Sequence, residues 1–133
     1  MKKMLLGLFT VLAVSMLCMI TFSQSVEAKP QIRYHVEKIQ LDSPGEATIV
    51  GHFSNDGDET GYVKWMDLDL TLIADNGQQM WADTGIRHYV EKMVPAYEMV
   101  HYTFYIQNGD IPEYHKKFRW KCHSNTHWEK NAG

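Results

Sequence analysis

The chain has 133 residues, two cysteines, seven histidines and a formal net charge of −3. Setting aside an expected N-terminal leader leaves about 105 residues, enough for one domain that buries its own core without obligatory disulfides or metals. Lys2, Lys3 and Glu27 leave with the leader, so the remaining domain carries about −4, which excludes the basic footprint of a nucleic-acid binder and general adhesion to anionic lipid.

The leader is read from its three parts. Lys2 and Lys3 form a positive start, and residues 4–22 are apolar apart from Thr10, Ser15 and Thr21. Val26-Glu27-Ala28 then presents small residues at the two positions that signal peptidase reads. Cleavage is expected after Ala28, giving a secreted, extracytoplasmic domain over 29–133 with no membrane attachment. The alternative is an uncleaved anchor, because the apolar run reaches the roughly 18 residues that span a bilayer. Leu17 precedes Cys18 and is not small, so lipid attachment there is not expected. Cys122 is then the sole mature cysteine, and no intramolecular disulfide can form.

Beyond the leader, alternation of apolar and polar residues runs through the chain, with no sustained 3.6-residue period. Ile32, Tyr34 and Val36 alternate, and Ile39 and Leu41 continue one residue out of step, predicting a bulge near Glu37-Lys38. Ser43-Pro44-Gly45 predicts a turn. Residues 47–53 form the next strand, with Gly51 marking a close backbone approach or a second bulge. A polar loop follows over 55–61. It is rich in oxygen donors but lacks the spacing of a calcium loop.

Residues 62–74 give the longest strand signal: Met66, Leu68, Leu70 and Leu72 on one face, Asp67, Asp69 and Thr71 on the other. One wet face is typical of antiparallel sheets. Asn76-Gly77 predicts a two-residue primed hairpin turn into a return strand over 78–82. A separate short strand is expected over 89–94, followed by a turn at Val94-Pro95-Ala96-Tyr97. Val100, Tyr102, Phe104 and Ile106 share a face of the next strand. The last strand is predicted over 114–122, with Phe118, Trp120 and Cys122 facing in. The polar tail over 125–133 is expected to fray.

Six or seven short strands with regular turn signals predict an all-β fold, a single antiparallel immunoglobulin-like β-sandwich, with a small closed barrel as the alternative.

Three segments carry a resemblance: Phe53-Ser54-Asn55-Asp56-Gly57, the run from Leu68 to Gly77, and Val94-Pro95-Ala96-Tyr97 followed by Tyr102-Thr103-Phe104. In this order they resemble small bacterial extracytoplasmic immunoglobulin-like modules of the FxLYD type or the S-layer-associated SLAP type, over about residues 47–106. The first strand and the histidine-bearing C-terminus lie outside the resemblance. It implies a non-enzymatic envelope or surface module and supplies no catalytic residues.

Two groups of residues are candidate sites. Trp65, Trp81, Tyr105 and Trp128 are expected to be exposed and to form an aromatic patch, which would suit sugar rings or a protein partner. Cys122, His123 and His127 are candidate metal ligands, although zinc wants at least three protein ligands and Cys122 is predicted to face inward. Four further histidines, His35, His52, His88 and His101, are spread over other strands, and only strand pairing could gather them. Asp67 and Asp69 share a face but lack a second half for acid–base catalysis. No motif implies a cofactor. The expected function is a secreted, non-catalytic binding or structural module of the cell envelope, its partner an envelope polymer or another protein. The alternative is an extracytoplasmic metal-binding protein using histidines.

Overall fold

The computed structural model describes residues 29–130; the leader, and with it the cleavage expected after Ala28, lies outside the described residues. Six strands follow in order: β1 (Ile32–Ser43), β2 (Glu46–Asn55), β3 (Gly61–Ile73), β4 (Gln79–Val94), β5 (Met99–Gln107) and β6 (Arg119–Glu129). They form two three-stranded antiparallel sheets, β1-β2-β5 and β4-β3-β6. The sheets pack face to face as a β-sandwich.

The period-2 pattern explains which face each sheet buries. β2 and β3 are the central strands of their sheets. Ile49 and Phe53 from β2 meet Met66, Leu68, Leu70 and Leu72 from β3, all at most 1% exposed. Each such side chain contributes about 1.5–3 kcal/mol when fully removed from water. Phe104 is also buried, whereas Val100, Tyr102, Phe118 and Trp120 pack against the core from its rim. Tyr34 crosses over Gly51, where an added Cβ would collide with the Tyr34 ring. Its hydroxyl donates to the Tyr102 carbonyl at 2.7 Å, tying β1 to β5 across β2. The glycine in β2 is thus a close approach between strands.

Two connections are built by specific chemistry. Pro44 and Gly45 link the paired residues Ser43 and Glu46, with Gly45 at φ +80°, as a type II turn requires. The loop after β2 is organised by Asn55, which is buried. Its Oδ1 accepts from the backbone N–H groups of Gln31 and Gly57, and its Nδ2 donates to the carbonyls of Glu59 and Val94. All four hydrogen-bonding positions of the amide are used.

The bulge predicted near Glu37 is present between Val36 and Lys38. Three expectations are corrected. The strands expected over 78–82 and 89–94 are not separate: residues 79–82 and 89–94 belong to the single strand β4. Irregular register against β3, with Gly85 at φ +66° and Glu91 at φ +57°, breaks the alternation that would have revealed its continuity. The last strand starts later and runs further than expected, because Asn125–Glu129 pairs with the β3 residues from Tyr62 to Asp67. An open edge on β3 recruits this polar segment through backbone hydrogen bonds that do not depend on side-chain polarity. The turn after β3 has three residues rather than two. Gly77 N–H donates to Ala74 O, and of Asn76 and Gly77 only Gly77 has positive φ, the pattern of a type I turn followed by a left-handed residue.

Candidate functional site

The four aromatic residues expected to share a patch go to four different places. Trp81 is buried on the core side of β4, beside Leu72. This corrects its expected exposure: it falls on the inward phase of β4. Tyr105 is exposed, but on the outer face of the other sheet. Trp128 stands at one end of a cleft of about 480 Å³ between the edge strands β1 and β6. Trp65 alone lies on the outer face of β4-β3-β6.

There Trp65 has neighbours that the sequence did not suggest. A bulge between Val63 and Trp65 shifts the phase of β3, so that Met66 points into the core and Trp65 outward. Strand pairing sets Tyr89 of β4 and His127 of β6 on either side of Trp65. The His127 ring stacks on the indole at 4.9 Å between centroids, and Tyr89 is tilted at 6.4 Å. Two pairs further along, on the same face, Asp67 lies opposite Arg87.

The Arg87 guanidinium holds both carboxylate oxygens of Asp67, Nε to Oδ1 at 2.9 Å and Nη2 to Oδ2 at 3.3 Å. It also lies over the Trp65 ring, 4.9 Å from its centroid. The Arg87 hydrogen bonds hold the Asp67 carboxyl below the usual carboxylate range and raise the guanidinium in turn. His127 Nε2 is 3.3 Å from Asp67 Oδ2 but not in hydrogen-bonding geometry, and Trp65 Nε1 is buried without a partner. The result is a pre-organised cluster of Trp65, Asp67, Arg87, Tyr89 and His127, with Tyr89 65% exposed at its margin.

The candidate metal ligands do not converge. Cys122 and His123 are adjacent on a strand and project to opposite faces. His123 is opposite Asp69 and His127 opposite Trp65, four residues along β6, about 13 Å at strand rise. An extended backbone separates residues that a helical turn would have brought together. Among the described residues no three His, Cys, Asp or Glu side chains are grouped to hold a metal ion. The paired carboxylates are also engaged: Asp67 by Arg87, Asp69 by the Gly85 N–H at 2.9 Å.

No family model matches the chain, and no curated protein matches it. Among solved structures, the chain is similar to Spo0M, the sporulation control protein from Bacillus subtilis. The TM-score is 0.43 at 15% identity, covering 80% of this chain and 45% of that one. The chain thus spans under half the length of that protein, and a likeness of this extent carries no functional inference.

Proposed function

We propose that the protein is an extracytoplasmic, non-catalytic binding module of the cell envelope. Its partner is another protein, which docks on the outer face of β4-β3-β6. The carrying observation is that the Trp65 indole is already engaged by its neighbours, stacked on by His127 from β6 and overlaid by the Arg87 guanidinium from β4. An indole so engaged offers no flat platform for a sugar ring, which argues against an envelope polymer at this position. Trp, Tyr and Arg held rigidly together are the residue types that dominate protein–protein hot spots. Their low residual flexibility reduces the ordering cost of association. The N-terminal leader supports export, and the resemblance over residues 47–106 supports a module of the extracytoplasmic immunoglobulin-like kind.

Photo-crosslinking in the producing cell tests this. A photoreactive phenylalanine analogue at Tyr89 is expected to give a discrete protein adduct that disappears in an Arg87→Ala background. The same probe at Tyr105, on the opposite sheet, is expected to give none that depends on Arg87. Absence of an adduct at Tyr89, or equal adducts at both positions, would overturn the assignment.

A further inference from the structure

Each three-stranded sheet ends in two edge strands, so β1, β5, β4 and β6 all have one side without a strand neighbour. Three of these edges are guarded. β1 carries Arg33, Glu37, Lys38 and Asp42 and is interrupted by its bulge. β4 carries Asp83, Arg87, Glu91 and Lys92 and pairs irregularly. β6 carries Arg119, Lys121 and Glu129. Charges and bulges on an edge are the devices that stop foreign strands from adding to a sheet. β5 has neither. Its nine residues, Met99 to Gln107, include no Asp, Glu, Lys, Arg, Pro or Gly, and its register against β2 is unbroken. We propose that the β5 edge is a pairing surface for a second copy of this chain, joined antiparallel about a two-fold axis through Thr103.

The first support is that the edge is free to bond. The Asn55 N–H donates to the Glu98 carbonyl and opens the β2–β5 ladder. Antiparallel pairing alternates from there between bonded and non-bonded pairs. The even-numbered residues of β5 therefore bond to β2, in keeping with the Tyr34 hydroxyl reaching the Tyr102 carbonyl from the β1 side. Met99, His101, Thr103, Tyr105 and Gln107 aim their N–H and C=O groups to the open side. Among the described residues no other backbone meets these groups. An added strand satisfies such a row.

The second support is self-complementarity. An axis through Thr103 sets Tyr102 opposite Phe104 of the second copy, and Val100 opposite Ile106 of the second copy. All four face inward, and Val100 and Tyr102 are only partly buried at the rim of the core. On the outer face His101 meets Tyr105 of the second copy, and Met99 meets Gln107. Aromatic and β-branched pairs directly opposed across strands are favourable, and here no like charges meet. The edge carries no charge that would select a partner of opposite sign, and its own sequence supplies the apolar complement. A contact of this kind uses the same patch twice and closes at two copies. It is independent of the Trp65 cluster, which lies on the other sheet.

Sedimentation and light scattering of the exported protein across a concentration series test the pairing. A reversible dimer is expected, with a Tm that rises with protein concentration. Thr103→Lys, at an exposed position on the axis, places two ammonium groups against each other. It should keep the fold and raise the dimer dissociation constant at least about tenfold. If Thr103→Lys does not fold, Tyr105→Lys, also exposed, replaces it. Paired residues that exchange both hydrogen bonds have Cα atoms about 5.5 Å apart, within reach of a disulfide. Thr103→Cys should therefore form a covalent dimer on mild oxidation. Thr48→Cys, one strand in from the edge, and the parent with Cys122 alone should not. A photoreactive probe at Tyr105 lies beside His101 of the second copy, so its adduct should be a dimer of this chain that does not depend on Arg87. A parent that stays monomeric throughout, as it would if the edge served a different protein, would overturn the proposal. So would open-ended assemblies larger than a dimer, a folded lysine variant that dimerises as the parent does, or oxidation of Thr103→Cys no faster than the controls.

Discussion

The His127 imidazole lies against the Trp65 indole with centroids 4.9 Å apart and planes inclined by 21°. The contact exists because β6 pairs with β3 along its whole length, so that a C-terminal histidine comes opposite a tryptophan at the start of the long central strand. Arg87 covers the indole from the β4 side and is anchored on Asp67. These groups are partly solvent-exposed, and exposed ion pairs contribute little to stability.

A separation of stability from binding therefore follows at Arg87. Arg87→Ala should lower unfolding stability only slightly, as for an exposed pair, while removing the Tyr89 crosslink. Denaturant unfolding of the purified variant measures the first effect. A large loss would make the cluster a folding element rather than a binding surface.

Asn55 should behave in the opposite way. Its side-chain amide satisfies four backbone groups from the N-terminal segment, its own loop and the end of β4. Asn55→Ala should cost about 2–4 kcal/mol, since each buried group left unpaired carries about 1–3 kcal/mol. Asn55→Asp should be at least as damaging, because a carboxylate would then face the carbonyls of Glu59 and Val94. Urea midpoints of both variants decide this, and midpoints unchanged from the parent would contradict it.

The hairpin after β3 distinguishes two turn types. Gly77 has φ +87° with open space around it, so Gly77→Ala should lose about 1–2 kcal/mol from backbone strain alone. Asn76 is not in the left-handed region, and Asn76→Ala loses only exposed hydrogen bonds to Gln78, accepted from its N–H and donated to its Oε1. Its effect should be clearly smaller. Equal losses at the two positions would restore the two-residue primed turn.

His88 gives the fold a dependence on pH. It stacks on Phe104 at 4.4 Å, its Nε2 is 2.6 Å from the Tyr102 hydroxyl, and burial holds its pKa below the usual histidine value. The unfolded chain therefore binds a proton on His88 more readily than the folded one. This contribution is intact above the unfolded value of about 6.5 and is lost as pH falls through that value towards the lowered folded one. Unfolding free energy should drop between about pH 7.5 and pH 5.5, with a shallower slope in His88→Phe. An unchanged slope in the variant would place the dependence elsewhere.

Cys122 should react slowly. Burial, reinforced by the Asp69 carboxylate, pushes the thiol up to about 11, so little thiolate forms near neutral pH. Thiol labelling should be slow in the native protein and fast in denaturant, with no disulfide-linked dimer on a non-reducing gel. Rapid native labelling would show the β1–β6 cleft to be open at Cys122.

Local pattern carried much of the fold into view. Alternation assigns each side chain of a strand to one of two faces. It therefore placed Leu70 inside, Asp69 outside and Cys122 on the shielded side, and it located the β1 bulge from the step between Val36 and Ile39. The same pattern was blind where irregularities reset the phase, as in β4, and where a strand was almost wholly polar, as at the end of β6.

The candidate sites show the boundary most clearly. Alternation marked Trp65 as outward-facing, and composition marked the histidines as abundant. Strand order then decided everything about their company. It separated Trp65 from Tyr105 by the thickness of the sandwich, buried Trp81, and spread Cys122, His123 and His127 along one extended strand. It also set Trp65 between Tyr89 and His127 and aligned His35, His52 and His101 in one row. The alternation that predicts a strand is a property of neighbouring residues. Which strands lie side by side, and in what register, is settled by hydrogen bonds and core packing between segments far apart in the chain. By itself the sequence determined a two-layer β architecture and the inward or outward sense of most side chains; the neighbours that give those side chains a chemistry were decided by tertiary pairing.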